Sequence, residues 1–452
     1  MADNLLDKAS ILLTPTAYND GSMLSVKPEN GDGDFTFSRG SAATRVNAQG
    51  LVENVQIISS ELVSNGDFSQ GEQDWTFGTG WSVDQANSKA VHDSSAGATA
   101  IQSTSVSVVV GKKYELKYTA SNLSGGYIRA EMGGLTPEFN FSDGTYTYNF
   151  TATTNANLYI TASANVEVTN VSVKEITDDT DLPRIDYTDG CGVWLLEPQS
   201  TNLYLNSETL ATQSNATSAS TYTVSFYGTG TITFSGTHTG TLVGTGANDR
   251  VSVTFTTTSG TLTSTISGTC TKGQLENLSY ATSYIPTEGA TNTRLQDIAN
   301  NSGNSTLINS TEGVLYGEIA SLSNETSSNY ISLSDGTYDN RLSIFYTSGS
   351  NIIRAFLRVG GASQADMTFT VSDITEFHKV AFKYKENDFA LWINGVEVAT
   401  DTSGSTIPSG TLTKLSFSEI NTTGGLFRGK SKALAVYKEA LTDAQLQSLT
   451  TI

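Results

Sequence analysis

The sequence is poor in the residues that form disulfides, metal sites and basic surfaces. Its 452 residues include two cysteines, three histidines, and 25 lysines and arginines against 45 aspartates and glutamates, a formal net charge of −20. Cys191 and Cys270 stand far apart and neither has a neighbour at metal-ligand spacing, so we expect no disulfide scaffold and no cysteine metal site. An acidic chain cannot easily neutralise phosphates, which argues against nucleic acid as a partner.

Long hydrophobic runs are missing as well. The opening MADNLLDKAS has no basic stretch followed by an apolar run, and no segment reaches the length that spans a bilayer. The sequence therefore predicts no membrane insertion.

Helical periodicity is scarce, and alternation of apolar and polar residues dominates instead, as in KKYELKYTAS (112–121) and TYTYNFTAT (145–153). Period-two patterns bounded by turn residues are typical of half-buried antiparallel strands. One helix is predicted in LTDAQLQSL (441–449), with Thr442 as its cap. Because the chain is too long for one core and holds 41 glycines, we predict an all-β fold of several antiparallel β-sandwiches, or jelly rolls.

These patterns divide the chain into five parts. They are an irregular N-terminal base segment at 1–58, a β-sandwich at 59–177, a connector at 178–206, a small Thr- and Gly-rich β-sandwich at 207–297 and a final jelly roll at 298–452. Strands rich in Gly and Thr leave little side chain for a pocket, so the small sandwich is expected to be a spacer or an oligomer contact. The phrases at 37–55 and 182–208, whose family resemblance is given below, flank the first sandwich, and that resemblance leads us to expect that the connector packs on the base and that the first sandwich is an insertion.

That packing supplies partners for the arginines of the base and connector, in Arg–carboxylate clamps that we interpret as structural. The arginines are Arg39, Arg45 and Arg184. Their candidate partners are Glu53, Asp186 and Glu197.

Four phrases resemble the joining segments of tailed-bacteriophage virion proteins. They are NLLDKASILLTPTAYNDGSMLSVKP (4–28), FSRGSAATRVNAQGLVENV (37–55), LPRIDYTDGCGVWLLEPQSTNLYLNSE (182–208) and ATSYIPTEGATNTRLQD (281–297). The chain is thus similar to tail or head-fiber proteins with carbohydrate-binding-like and concanavalin A-like modules. The resemblance implies synthesis in the host cytoplasm, a place on the external surface of the virion with other virion proteins as partners, and a homo-oligomer, with a trimer favoured. Within it, we expect the base segment to attach to the particle.

The first sandwich resembles carbohydrate-binding modules of the galactose-binding-like jelly-roll type, through its SNGDF start, a Trp a few residues on and a final V-x-V-K strand. Trp75, Phe77 and Trp81 are candidates for stacking on a pyranose, whose apolar face fits an aromatic ring. In the alternative interpretation, aromatics so near the first strand fill the core.

A second group of candidate glycan ligands lies on one strand of this sandwich. Tyr127, Arg129 and Glu131 alternate and can project from one face, the geometry of a shallow sugar-binding surface. Solvated strand residues would give the same pattern.

The final part resembles a concanavalin A-like, laminin-G-like jelly roll of the lectin/glucanase type, above all in FHKVAFKYKENDFALWINGVEVATD (377–401) with its Asn-Gly hairpin. In that family glycans or proteins bind at a concave face or loop rim, sometimes around calcium. Asp335, Asp339 and Asn340 can supply hard oxygen ligands for such an ion. They can equally form a tight turn, since Asp-Gly is itself a turn signal. Apart from this calcium, no cofactor is expected.

Catalytic patterns are absent from the sequence. Glycoside hydrolases of this fold need two carboxylates across a cleft, often in an E-x-D-x-x-E motif, whereas Glu318 and Glu397 are isolated. His92, His238 and His378 lie in separate modules, which disfavours a Ser-His-Asp arrangement. We therefore predict that the protein is not an enzyme.

Three functions remain after these exclusions. The first is host recognition, in which sandwich modules on the virion bind surface polysaccharide and several copies supply avidity. The second is a purely structural role in capsid decoration or tail joining, with only virion proteins as partners. The third is a polysaccharide depolymerase.

Overall fold

The computed structural model describes residues 5–137, 139–324, 329–347, 349, 351–421 and 424–452. The chain divides into two compact units. The inserted unit is Gln56–Asp179, and the main unit combines Met1–Val55 with Thr180–Ile452. The predicted first sandwich lies within the inserted unit, whereas the small sandwich, the final jelly roll and the connector from residue 180 onward belong to the main unit.

The strands are short and numerous, as the period-two patterns predict. The first segment of the main unit contains β1 Ile11–Leu13, β2 Tyr18–Asn19, β3 Ser22–Met23, β4 Phe35–Ser38, β5 Thr44–Val46 and β6 Val52–Asn54. The inserted unit contains β7 Ile57–Ile58, β8 Trp75–Phe77, β9 Trp81–Asp84, β10 Lys89–His92, β11 Thr99–Ser103, β12 Lys113–Ser124, β13 Ile128–Glu131, β14 Gly144–Thr151, β15 Tyr159–Ala162 and β16 Asn165–Asp178.

The second segment of the main unit contains the remaining strands. Up to residue 300 they are β17 Ile185–Asp186, β18 Val193–Leu196, β19 Ser200–Asn202, β20 Gln213–Thr217, β21 Thr221–Gly228, β22 Thr231–Gly236, β23 Gly240–Val243, β24 Gly246–Thr256, β25 Gly260–Ser267, β26 Cys270–Glu276, β27 Asn292–Arg294 and β28 Ile298–Asn300. The rest are β29 Glu312–Ser321, β30 Asn329–Ser334, β31 Arg341–Thr347, β32 Ile352–Val359, β33 Ala362–Thr370, β34 His378–Lys385, β35 Phe389–Ile393, β36 Val396–Asp401, β37 Lys414–Ser416 and β38 Gly429–Tyr437.

Helices are few. In the part of the chain that the structure describes, three short 3₁₀ helices span Leu5–Lys8, Gln85–Asn87 and Ser94–Ala96, and one α-helix, α1, spans Asp443–Thr450. Thr442 and Gln445 form a capping box at the start of α1, which confirms the predicted cap. The described residues contain no helix with the length and apolar character of a membrane span. The predicted all-β class is confirmed.

The inserted unit is a sandwich of two antiparallel sheets. The larger sheet has the order β14-β12-β16-β10-β9, with β7 added on β16, and the smaller has the order β13-β15-β11-β8. Alternate residues of each strand point inward, so Leu116 and Val173 of one sheet share a core with Ile128 and Ile160 of the other.

A second sandwich lies at the C-terminal end of the main unit. Its eight-stranded sheet follows the order β17-β18-β38-β29-β34-β35-β36, with β1 on β38, and its five-stranded sheet follows β33-β32-β31-β30-β37. Phe382 and Leu391 of the first sheet share a core with Ile344 and Leu357 of the second. The helix α1 packs on the other face of the eight-stranded sheet through Leu446 and Leu449.

The N-terminal segment is part of this sandwich. Strand β1 pairs antiparallel with β38, with Leu12 opposite Ala435, and Ile11 and Leu13 are fully buried. The expected irregular base therefore carries a core strand, because its apolar residues complete an edge of the eight-stranded sheet. Its attachment to a virion stays a prediction.

The Thr-rich region forms a smaller pair of sheets. Their orders are β20-β25-β22-β23 and β24-β21-β26. Phe226, Ile232 and Leu262 lie in the core between them. The role expected for this region, as a spacer or an oligomer contact, stays a prediction.

A buried ion cluster joins the base, the connector and the C-terminal end of the small sandwich. It is made of Arg39, Arg184, Glu197, Arg294 and Asp297. Glu197 Oε2 lies 2.6 Å from guanidinium nitrogens of both Arg184 and Arg294. Asp297 contacts Arg184 and lies 3.0 Å from Arg39. The side chains are at most 4% exposed.

This cluster corrects the predicted clamps in part. The pairs of Arg184 with Glu197 and, at 2.8 Å, of Arg45 with Glu53 are confirmed. Arg39 instead pairs with Asp297, which was not among its predicted partners. Asp186 accepts hydrogen bonds from the backbone N–H groups of Val46 and Thr188, at 2.8 and 2.9 Å.

Candidate functional site

Two of the predicted glycan ligands point outward from the smaller sheet of the inserted unit. Along β13 the side chains alternate, so that Ile128 and Ala130 are buried while Arg129 and Glu131 are half-exposed. Tyr127 precedes the strand and is also half-exposed. The structure therefore brings all three predicted residues, Tyr127, Arg129 and Glu131, to one surface.

A returning loop adds two aromatic rings to this surface. Asn140 and Ile128 exchange backbone hydrogen bonds of 2.9 and 3.0 Å, an isolated antiparallel bridge that holds the loop beside β13. The neighbours of Asn140, Phe139 and Phe141, lie beside Tyr127. Sequence reasoning missed both, although the alternation Phe-Asn-Phe places two aromatic side chains on one face of an extended segment.

We call Tyr127, Phe139 and Phe141 the aromatic patch. The ring centroid of Tyr127 is 4.0 Å from that of Phe139 and 6.4 Å from that of Phe141. Phe139 is 41% exposed and Phe141 69%. Large aromatic rings at such exposure are costly in water, so a contiguous group of them indicates a contact surface.

Polar groups border the aromatic patch. The Arg129 guanidinium lies over the Phe139 ring, 4.6 Å from its centroid, and donates to Glu131 at 2.7 Å. The second oxygen of Glu131 accepts a hydrogen bond of 3.2 Å from Thr161. Tyr159, opposite Glu131 on β15, is 37% exposed. Donors, acceptors and ring faces thus share one shallow surface.

The other three predicted stacking residues lie elsewhere. Trp75 and Trp81 are 6% and 7% exposed and belong to the core. The Trp75 indole N–H donates to the carbonyl of Asn65 at 3.0 Å, and the Trp81 ring packs on His92. Phe77 is half-buried against the same core. Burial leaves the two indoles no free ring face, which corrects the stacking role expected for them and favours the core interpretation.

The predicted calcium ligands form a turn. Asp335 Oδ1 accepts from the Thr337 backbone N–H at 2.8 Å and from its hydroxyl at 2.6 Å, while Oδ2 accepts from Asn340 at 2.9 Å. The Asn340 side-chain oxygen accepts from Gly360 N–H at 3.0 Å, and Asp339 is exposed. Partial burial acts to raise the pKa of Asp335, but the bonds from Thr337 and Asn340 outweigh it and hold the pKa below its ordinary value.

No metal cluster accompanies this turn. Within the described ranges, no group of three or more His, Cys, Asp or Glu side chains is arranged to hold a metal ion. The hydrogen bonds of Asp335 match the Asp-Gly turn, the alternative that the sequence left open.

The main unit holds a cavity of about 360 Å³ near the hairpin of β5 and β6. Two of its charged side chains are engaged with neighbours, since Arg45 pairs with Glu53 and Lys430 lies 2.5 Å from Asp189. Arg250 donates to the Thr282 carbonyl, at 2.7 Å. These contacts link segments of the main unit, so the aromatic patch is the stronger candidate site.

Several known proteins are similar to parts of this chain. Residues 319–447 match the family model of the concanavalin A-like lectin/glucanases superfamily. No curated protein matches the chain.

Among solved structures, the CBM40 of Ruminococcus gnavus IT-sialidase bound to α2,3-sialyllactose is 19% identical over 31% of this chain and 83% of that one, with a TM-score of 0.28. Domain 4 of AbnA, a GH43 extracellular arabinanase from Geobacillus stearothermophilus, in complex with arabinotriose, is 14% identical over 39% and 84%, with a TM-score of 0.29. The heptameric SAP-like pentraxin from Limulus polyphemus is 16% identical over 31% and 70%, with a TM-score of 0.25.

The family match coincides with the two-sheet sandwich at the C-terminal end, and it agrees with the predicted fold of that region. Residues 319–447 form a concanavalin A-like domain of the lectin/glucanase superfamily.

Proposed function

We propose that the protein is a non-enzymatic carbohydrate-binding protein and that its inserted unit binds glycans through the aromatic patch. The observation that carries this proposal is the exposure of Tyr127, Phe139 and Phe141 as one group of rings. The apolar face of a pyranose packs on such rings, and the paired Arg129 and Glu131 beside them offer hydrogen bonds to its hydroxyls.

The charges at this surface favour binding over hydrolysis. Glycoside hydrolysis needs two carboxyl groups across the scissile bond. The surface formed by Tyr127, Arg129, Glu131, Phe139 and Phe141 has one, that of Glu131, and it is held by Arg129 and Thr161. We therefore propose binding rather than depolymerase activity for these five residues.

We further propose that this binding serves recognition of a bacterial surface polysaccharide by a phage particle. Support comes from the phrases at 37–55, 182–208 and 281–297, which resemble phage joining segments. A shallow site binds weakly, and several copies on one particle raise the avidity. Mass spectrometry of purified phage particles tests the location, and particles that lack the chain would contradict it.

Glycan binding is tested with the full-length protein on an array of bacterial oligosaccharides. We expect saturable binding that falls about fivefold in Phe141→Ala, because one stacked ring contributes about 1 kcal/mol. Phe369→Ala is the matched control, since Phe369 is also exposed, at 39%, but lies on β33 of the main unit.

Two results would count against the proposal. Equal binding by Phe141→Ala and wild type would remove the aromatic patch as the site. An absence of binding by correctly folded protein would favour the purely structural role, in which the only partners are virion proteins.

A further inference from the structure

The free edge of the larger sheet in the inserted unit has an unusual composition. Strand β14, with the sequence GTYTYNFT, stands at the end of that sheet and, in the described part of the chain, pairs only with β12. It is eight residues long and contains no charge and no proline. Edges of this kind expose backbone donors and acceptors that another strand can pair with.

The other long edges of the molecule are protected. Besides β14, the edge strands of six or more residues in the described sheets are β24, β26, β33 and β36. Each carries charged residues: Asp249 and Arg250 in β24, Lys272 in β26, Asp366 in β33, and Glu397 and Asp401 in β36. Charges on an edge oppose pairing with another chain. Only β14 among these strands lacks that protection.

Aromatic side chains at this edge are left half covered. Tyr146, Tyr148 and Phe150 point toward the core but stay half-exposed, because among the described strands none lies beyond β14. The Tyr146 ring packs on Tyr118 of β12 with centroids 5.3 Å apart. A strand added at this edge would cover the remaining exposed parts of these three rings.

The charges near the two ends of β14 are held within the chain. Asp143 accepts a hydrogen bond of 2.7 Å from the backbone N–H of Leu123, and Lys112 and Lys113 at the other end pair with Glu175 at 2.8 Å and with Asp179 at 2.5 Å. These charges are therefore engaged within the chain, and the strand between them carries none. Two copies of a chain with a net charge of −20 repel each other over most of their surfaces. The uncharged strand β14 is a place where they can meet without that repulsion.

We infer that two copies of this chain associate through β14, which pairs antiparallel with itself across a two-fold axis. A self-complementary interface of this kind closes at two copies. The axis passes near Thr147, at the middle of the strand, and Thr147 is exposed on the face opposite the rings.

The mass of the full-length protein in solution tests this inference by light scattering over a range of concentrations. We expect wild type to have twice the chain mass of 47.9 kDa, as a dimer, and Thr147→Lys to have the mass of one chain. In a dimer of this variant the ammonium groups of the lysines introduced in the two copies would repel each other near the axis. Thr368→Lys on β33 is the matched control and keeps the double mass. An equal mixture of Thr147→Lys and Thr147→Glu restores it.

Circular dichroism and thermal unfolding verify that each variant is folded, and Asn149→Lys provides a second disruptive change on the same exposed face. A wild-type protein that stays single at high concentration, or that forms three copies, overturns the inference. So do double masses for both Thr147→Lys and Asn149→Lys, or a mixture of the Lys and Glu variants that stays single.

Discussion

The side chains of the buried ion cluster depend on one another because they have no access to water. Arg184 and Asp297 have no exposed side-chain surface, and Glu197 is shared by Arg184 and Arg294. Removing one partner of a buried pair leaves an uncompensated charge, at a cost of about 3–5 kcal/mol. Burial acts to lower the pKa of Arg184, but Asp297 and Glu197 outweigh it and raise the pKa.

Glu197 makes the stability of the main unit depend on pH in the acidic range. Burial acts to raise its pKa, but Arg294 and Arg184 outweigh burial and lower the pKa from 4.5 to about 2. A carboxyl group whose pKa is lower in the folded than in the unfolded protein stabilises the fold at pH values above its unfolded pKa. It loses that contribution as the pH falls through its folded pKa. We expect a loss of roughly 3 kcal/mol from this group between about pH 4.5 and pH 2.

Urea unfolding at pH 6 and at pH 3 measures this effect. Glu197→Gln should lose stability at pH 6 and show a smaller drop on acidification than wild type. Glu439→Gln, at an exposed position, is the control. Equal drops in wild type and Glu197→Gln would contradict the prediction.

Asp335 is expected to act as a turn residue. Its carboxylate accepts three hydrogen bonds, so Asp335→Ala should lower the free energy of unfolding by about 1–3 kcal/mol. The loss should be the same with and without EDTA. Asp339→Ala, an exposed neighbour, should change stability by less than about 0.5 kcal/mol. A wild type whose Tm falls in EDTA, beside an insensitive Asp335→Ala, would support calcium instead.

At the scale of elements, the three-residue strand β1 contributes both to a sheet and to the core of the main unit. It extends the eight-stranded sheet on β38 and places Ile11 and Leu13 in the core of the concanavalin A-like sandwich. A deletion up to residue 54 removes β1 to β6 and disturbs the main unit. Such a truncation therefore cannot by itself test attachment to a particle.

Leu13→Ala tests whether the packing of β1 in the core stabilises the main unit. Leu13 is fully buried, so the substitution should lower the free energy of unfolding by about 2–5 kcal/mol, measured by denaturant unfolding. Leu51→Ala is the control, because Leu51 is 47% exposed. Equal stabilities of the two variants would show that β1 does not contribute to the core.

At the scale of the whole molecule, the main unit and the inserted unit have separate cores. The cluster of the inserted unit runs from Val63 to Val173, and the three core clusters of the main unit contain no residue of Gln56–Asp179. The high negative charge favours solubility for a chain with this much β-structure.

Replacing residues 56–179 with a short Gly-Ser linker tests this modular organisation. The remaining chain should keep its near-UV circular dichroism and its thermal unfolding transition, because no core cluster of the main unit is cut. It should also lose glycan binding if the aromatic patch is the site. Aggregation or loss of the transition would contradict the separation of the two cores.

Much of the fold could be read from local patterns. Period-two alternation predicted the strands and placed Arg129 and Glu131 on one face of β13, since that spacing is a property of the extended backbone. The cap at Thr442 was likewise a local signal. The concanavalin A-like fold of residues 319–447 agrees with the resemblance of the phrase at 377–401.

Other features depended on contacts between distant segments. Trp75 and Phe141 are both aromatic, yet one is buried and the other 69% exposed, because the face of the sheet on which each lies is set by strand pairing. Arg39 pairs with Asp297, a partner 258 positions away, only once the base packs against the C-terminal end of the small sandwich.

The sequence by itself determined the strand-rich class, the acidic and cysteine-poor character and the alternation that exposes Arg129 and Glu131, because these depend on residue type and nearest neighbours. Only the tertiary structure decided that Phe139 and Phe141 join Tyr127, that the two indoles are buried and that β14 is left at an edge. Those outcomes require the returning loop and the order of strands in a sheet, which depend on non-local hydrogen bonds that no short stretch of sequence encodes.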